Sequence, residues 1–128
     1  MITENYEDYV SYEVAKLLRE KGFDGPCWCW YEDEDSLIHS NDDYGYQYNS
    51  NHISYEFECS APTLYVAMKW LREEKHIYIE ICRSVNTFLY GARIVEDESG
   101  RFNRIANSLN TYEEACEAAI KYCLENLI

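Results

Sequence analysis

The sequence predicts an α+β fold: a single two-layer domain over residues 1–128, with an antiparallel sheet of about four to six strands and three helices packed mainly on one face. Three observations predict it. Three stretches repeat apolar residues at helical spacing, and several others alternate apolar and polar residues with period two. Their order lacks the strict alternation of strand and helix that a parallel sheet requires. With 128 residues, 47% of them hydrophobic and 16% aromatic, the chain has material for one core and too little length for separate cofactor and substrate domains.

The first helix is expected over about 11–21, where Val10, Val14, Leu17 and Leu18 repeat on one face between Lys16, Arg19 and Glu20. Gly22 occupies the position that favours a left-handed residue after a helix, and Phe23 is placed to fold back on Leu18. Asp24-Gly25-Pro26 then turns the chain into an aromatic strand over 27–31, with Cys27, Cys29 and Tyr31 on one face and Trp28 and Trp30 on the other. A short strand is expected over 36–39. A further one, over 53–59, alternates Ile53, Tyr55, Phe57 and Cys59 with Ser54, Glu56 and Glu58.

Ser60-Ala61-Pro62-Thr63 combines a good N-cap with a proline suited to a first helical turn. Leu64, Ala67, Met68 and Leu71 continue at helical spacing, which predicts a second helix to about residue 75, with Trp70 in the core. Ile77, Ile79 and Ile81 then alternate with Tyr78, Glu80 and Cys82, and Phe88, Tyr90, Ala92 and Ile94 alternate with Leu89, Gly91, Arg93 and Val95, giving two strands. Glu98-Ser99-Gly100-Arg101 turns into a weaker strand near 102–106. Thr111 and Glu114 form a capping box, followed by a stripe of Tyr112, Cys116, Ala119, Ile120, Cys123 and Leu127, with Glu117 and Lys121 a pair on the wet face.

The six cysteines read as free thiols, because the start of the chain lacks the basic and apolar regions of an export signal; those at 59, 82, 116 and 123 are expected to pack like small hydrophobes. No apolar run approaches the ~20 residues of a membrane span, so a cytoplasmic protein is expected.

Charge is the strongest functional signal. The chain carries 11 bases and 24 acids, a net −13, and residues 1–60 hold 14 of the acids against Lys16, Arg19 and Lys21. Residues 32–52 form an acidic, tyrosine-rich segment of a length that in compact domains is more often functional or mobile than ordinary. The candidate binding face is Glu32, Asp33, Glu34, Asp35, Asp42, Asp43, Tyr44, Tyr46, Tyr48, Glu56 and Glu58. Such charge repels nucleic acid and anionic membranes and attracts a basic protein surface, to which tyrosines add rigid contact area. A protein partner or self-association is therefore expected, with no direct nucleic-acid binding, no membrane and no cofactor.

Other chemistry is weakly supported. Cys27, Cys29, His39, His52 and Cys59 share a short window with soft ligands suited to zinc, but Cys-x-Cys is not the Cys-x-x-Cys knuckle of structural zinc sites. Asp33, Asp35, Asn41, Asp42, Asp43 and Gly45 do not register with an EF-hand loop. Cys29 or Cys59 with His52 is a nucleophile and base pairing that the fold, not the sequence, would have to assemble. No P-loop, Gly-x-Ser-x-Gly or His-Glu-x-x-His run occurs, so no catalytic residue and no metal ligand is assigned.

Three runs, Ser11-Tyr-Glu-Val-Ala-Lys-Leu-Leu-Arg-Glu-Lys-Gly-Phe23, Ser60-Ala-Pro-Thr-Leu-Tyr-Val-Ala-Met-Lys-Trp-Leu-Arg-Glu73 and Thr111-Tyr-Glu-Glu-Ala-Cys-Glu-Ala-Ala-Ile-Lys-Tyr-Cys-Leu-Glu-Asn-Leu127, resemble stretches of small proteins of about this length from gut Bacteroidetes and their phages or mobile elements. That group has no assigned activity. The resemblance implies a context and a length, and no functional residue.

Overall fold

The structure is a computed structural model and describes residues 8–39, 58–96 and 101–128. It has the expected α+β class, with antiparallel strands and three helices. The chain divides into two compact units, residues 1–63 and 64–128, and the described strands form two three-stranded sheets, one in each unit.

In the first unit, α1 (Tyr12–Glu20) starts where Ser11 accepts a hydrogen bond from the Val14 amide at 3.2 Å. It ends as the sequence predicts. Gly22 is left-handed at φ 96°, the Phe23 amide reaches the Leu18 carbonyl at 2.9 Å, and the Gly22 amide reaches that of Arg19 at 3.2 Å. Those bonds turn Phe23 into the core beside Val14, Ala15 and Leu18, all buried, where a large aliphatic or aromatic side chain contributes about 1.5–3 kcal/mol.

The sheet of this unit has the order β2-β1-β3, from β1 (Cys29–Asp33), β2 (Ser36–His39) and β3 (Cys59–Ser60). Its first strand starts two residues later than expected and lies in the middle. Cys27, Cys29 and Cys59 are buried, while Trp28 and Trp30 are half-buried. The expected strand over 53–59 falls mostly outside the described residues. Ser60 is not a helix cap: it is fully buried and paired with Trp30, because the backbone ladder of β3 continues through it. Tyr9 bridges to Thr63, the Val10 amide donates to the Pro62 carbonyl at 3.0 Å, and the Tyr31 hydroxyl donates to the Val10 carbonyl at 2.7 Å.

The second unit runs α2 (Leu64–Lys75), β4 (Ile77–Arg83), β5 (Tyr90–Glu96), β6 (Arg101–Leu109) and α3 (Tyr112–Asn126), with the strands in the plain order β4-β5-β6. His76, at φ 57°, takes the left-handed turn from α2 into β4 that glycine more often makes. Ile77, Ile79 and Ile81 pair with Glu96, Ile94 and Ala92 on one face. On it α3 lies against all three strands, and α2 against β4 and α3.

The capping box is present: Thr111 accepts from the Glu114 amide at 3.0 Å, and the Glu114 carboxylate accepts from the Asn110 amide at 3.2 Å. The buried stripe of α3 is Ala115, Cys116, Ala119, Ile120, Cys123 and Leu124. It is rotated from the expected one, for Tyr112 is exposed at the first turn and Leu127 is only half-buried. On the wet face Lys121 lies 3.8 Å from Glu125. Trp70 is half-buried rather than in the core, with the Lys75 ammonium 5.3 Å from its ring, and Cys82 is exposed because alternation puts it beside Glu80 rather than among the isoleucines.

Candidate functional site

The acidic face begins as a hairpin. β1 and β2 pair from Cys29↔His39 to Tyr31↔Leu37, the register then slips, and Asp33 pairs with Ser36. The slip leaves Glu32 without a partner across the ladder, as a β-bulge does. The Asp35 amide donates to the Asp33 carboxylate at 2.9 Å, an Asx turn that uses one acid to hold the bend. Glu32, Asp33, Glu34 and Asp35 are all exposed, so four consecutive carboxylates stand in water with nothing between them to neutralise the run.

Glu58 precedes Cys59, which pairs with Tyr31, so it lies at the end of the sheet where the acidic run starts. Its backbone carbonyl accepts a hydrogen bond from the Arg19 guanidinium. Thus five of the expected face residues converge on one end of the first sheet. Asp42, Asp43, Tyr44, Tyr46, Tyr48 and Glu56 lie outside the described residues. The three bases of this unit all belong to α1 or its C-cap, and the Lys16 ammonium is 5.5 Å from the Tyr12 ring.

Cys27, Cys29 and Cys59 are free and buried. Burial pushes Cys27 up to about 12, and the neighbouring Cys29 adds to the effect. Cys59 is also raised by burial, against a hydrogen bond and the positive charge of Arg19, which pull the other way. A thiol held neutral is a weaker nucleophile and a less ready metal ligand than a thiolate. Among the described residues no group of three or more His, Cys, Asp or Glu side chains is placed to hold a metal ion.

A second hairpin presents different chemistry, which the sequence reading did not single out. β4 and β5 pair without interruption from Ile77↔Glu96 to Arg83↔Tyr90, and Glu80 and Arg93 on the outer face form an ion pair at 2.7 Å. The loop closes through the Ser84 amide on the Leu89 carbonyl and the Phe88 amide on the Ser84 carbonyl, each at 2.9 Å. Ser84 Oγ accepts from the amides of Asn86 and Thr87, and Thr87 Oγ1 from that of Leu89, all at 3.3 Å.

Phe88 is left-handed at φ 60°, a position that commonly holds glycine in such loops, and it is 61% exposed. Its ring faces the Arg83 guanidinium at 5.0 Å, and Tyr90 flanks the same group at 5.8 Å. Tyr90 is in turn met edge-on by Tyr112 of α3, with centroids 6.3 Å apart. An exposed cation–π contact contributes about 0.5–1 kcal/mol, whereas a left-handed bulky residue costs about 1–2 kcal/mol, so the Arg83 contact alone does not repay the conformation. The signal that could have found this loop is Ser84, Asn86 and Thr87, turn formers between two alternating runs.

No protein-family model matches the chain, and neither a curated protein nor a solved structure matches it.

Proposed function

We propose that the chain is a non-enzymatic protein-binding module, of phage or mobile-element origin, whose acidic and tyrosine-rich face engages a basic surface on a host protein. The observation that carries this reading is the β1–β2 tip, where Glu32, Asp33, Glu34 and Asp35 are exposed in a unit with 14 acids and three bases. A field of that sign speeds encounter with a basic partner and opposes nucleic acid and anionic lipid. Among the described residues no helix is long and apolar enough to cross a membrane. On this reading the chain works in the cytoplasm, a reducing compartment that suits its six free thiols.

The test is capture of partners from host lysate on the tagged chain, at low and at high salt. One basic protein should be recovered, with affinity falling about tenfold or more as ionic strength rises to several times the physiological value. The pair Glu32→Lys with Glu34→Lys should weaken capture further, the Asx turn of Asp33 being left intact. An affinity indifferent to salt and to these substitutions would overturn the electrostatic reading. Recovery of the chain alone would favour a self-associating domain, with its charge serving solubility.

A further inference from the structure

The second sheet has an unguarded edge, separate from the acidic face. β4 pairs with β5 on one side, and among the described residues no strand pairs with its other side. The Ser84 amide donates to the Leu89 carbonyl at 2.9 Å in the register that sets Arg83 against Tyr90, so the hydrogen-bonded pairs of this ladder are Cys82↔Gly91, Glu80↔Arg93 and Tyr78↔Val95. Tyr78, Glu80 and Cys82 thus spend their backbone groups on β5. Those of Ile79 and Ile81 point to the free edge, where no hydrogen bond among the described residues takes them.

Edge strands are commonly blunted by shortness, proline, lysine or a bulge. β4 has none of these, for it runs seven residues without Pro or Lys and pairs without interruption. The other edges are blunted: β2 has four residues, β3 has two, and β6 shifts register against β5 between Tyr90 and Ala92. Ile79 and Ile81 lie on the core face yet are only half-buried, whereas Ile77 is 3% exposed, so the apolar layer is open towards this edge.

We infer that β4 is an interface at which a second copy of this chain adds its own β4 antiparallel, about a twofold axis at Glu80, to make one six-stranded sheet. A strand pairs with its own copy in this way when its sequence complements its own reverse, and β4 does. Ile79 meets Ile81 of the second copy on the core face, their outward amides and carbonyls pair, and Tyr78 meets Cys82 of the second copy on the outer face. Like charges meet only at Glu80, and each Glu80 brings its own Arg93 at 2.7 Å. Residues 64–128 carry 10 acids and eight bases, against 14 and three in residues 1–60, so the edge belongs to the unit whose charge lets two copies approach.

The experiment is sedimentation of the full chain from about 1 μM to about 1 mM at low and high salt, joined to amide hydrogen exchange. A dimer should form, and salt should tighten it several-fold by screening the repulsion of two chains of net −13. That sign is opposite to the one expected for the acidic tip on a basic partner, so the two readings fail separately. The Ile79 and Ile81 amides should exchange about tenfold or more slowly in the dimer than in the dilute monomer, while those of Tyr78 and Glu80 are protected in both. Ile81→Pro, where the lost N–H points away from β5, should weaken the dimer about tenfold or more. Tyr78→Cys should give a covalent dimer with Cys82 of the second copy on mild oxidation, and adding Cys82→Ser should remove the cross-link. A chain still monomeric at about 1 mM, a dimer that loosens in salt, Ile79 and Ile81 amides that exchange as in the monomer, or a dimer of Tyr78→Cys that does not cross-link would overturn the assignment.

Discussion

The β1–β2 hairpin of the first unit is short, slips register beneath its turn and ends in four exposed acids. The β4–β5 hairpin of the second holds seven consecutive pairs and ends in hydroxyls, two exposed apolar residues and an aromatic-flanked guanidinium. One supersecondary device therefore carries two opposite chemistries. The first tip is held by an Asx bond and the Asp33–Ser36 pairing against mutual repulsion of carboxylates, so its cost is electrostatic and sensitive to salt. The second is held by several backbone and hydroxyl bonds, and its cost is conformational and indifferent to salt. In both, the strain sits at the exposed end, while the apolar or thiol-bearing strands behind it supply the stability.

The comparison breaks most visibly in the strands behind the tips. Ile94→Ala, in the central strand of the second sheet and fully buried, should cost about 2–5 kcal/mol in urea denaturation. Leu37→Ala, 42% exposed on β2, should stay within about 0.5 kcal/mol, and a larger loss would mean that the first hairpin bears more of its unit's stability than its burial implies.

Each unit also holds one thiol, Cys27 and Cys123, pushed up to about 12 from the ordinary 9.0, mainly by burial. The folded chain keeps these thiols neutral where the unfolded chain ionises them. The stability they contribute is therefore whole below about pH 9 and is lost as pH rises towards 12, at about 1.4 kcal/mol per pH unit for each thiol. Followed from about pH 8 to about pH 10, the urea midpoint of the native chain should fall more steeply than that of Cys27→Ala if Cys27 is a source; parallel slopes would remove it.

Thr111→Ala should cost about 1 kcal/mol through the lost cap of α3. His76→Gly should return up to about 1 kcal/mol at the α2–β4 turn, for glycine takes a left-handed φ without penalty. The smallest effect belongs to the acidic tip, where Glu34→Lys should raise stability by about 0.5 kcal/mol or less and lose that gain in high salt.

Much of this is legible in the sequence. Gly22 after Leu18 and the Thr111–Glu114 box are local devices, and each formed where its residues stand because nothing distant competes for those amides. Alternation in 77–82 placed the isoleucines correctly, since period two reports which face a side chain takes. It does not report partners, so the division into two sheets was invisible. Ser60 misled for a related reason: its cap propensity is worth about 1 kcal/mol and lost to a strand pairing that needs a residue thirty positions away. Phe88 continued the strand pattern on paper, yet it turns left-handed, because its place is set by the closing bonds of the loop and the ring's contact with Arg83. Of the acidic face, the run of charge was plain; its display on a hairpin end follows from the Asx turn.

The bridge between Tyr9 and Thr63 has a modular consequence, since it sets two residues 54 positions apart in the chain side by side. A short peptide joining these two positions would span little distance and cost little loop entropy.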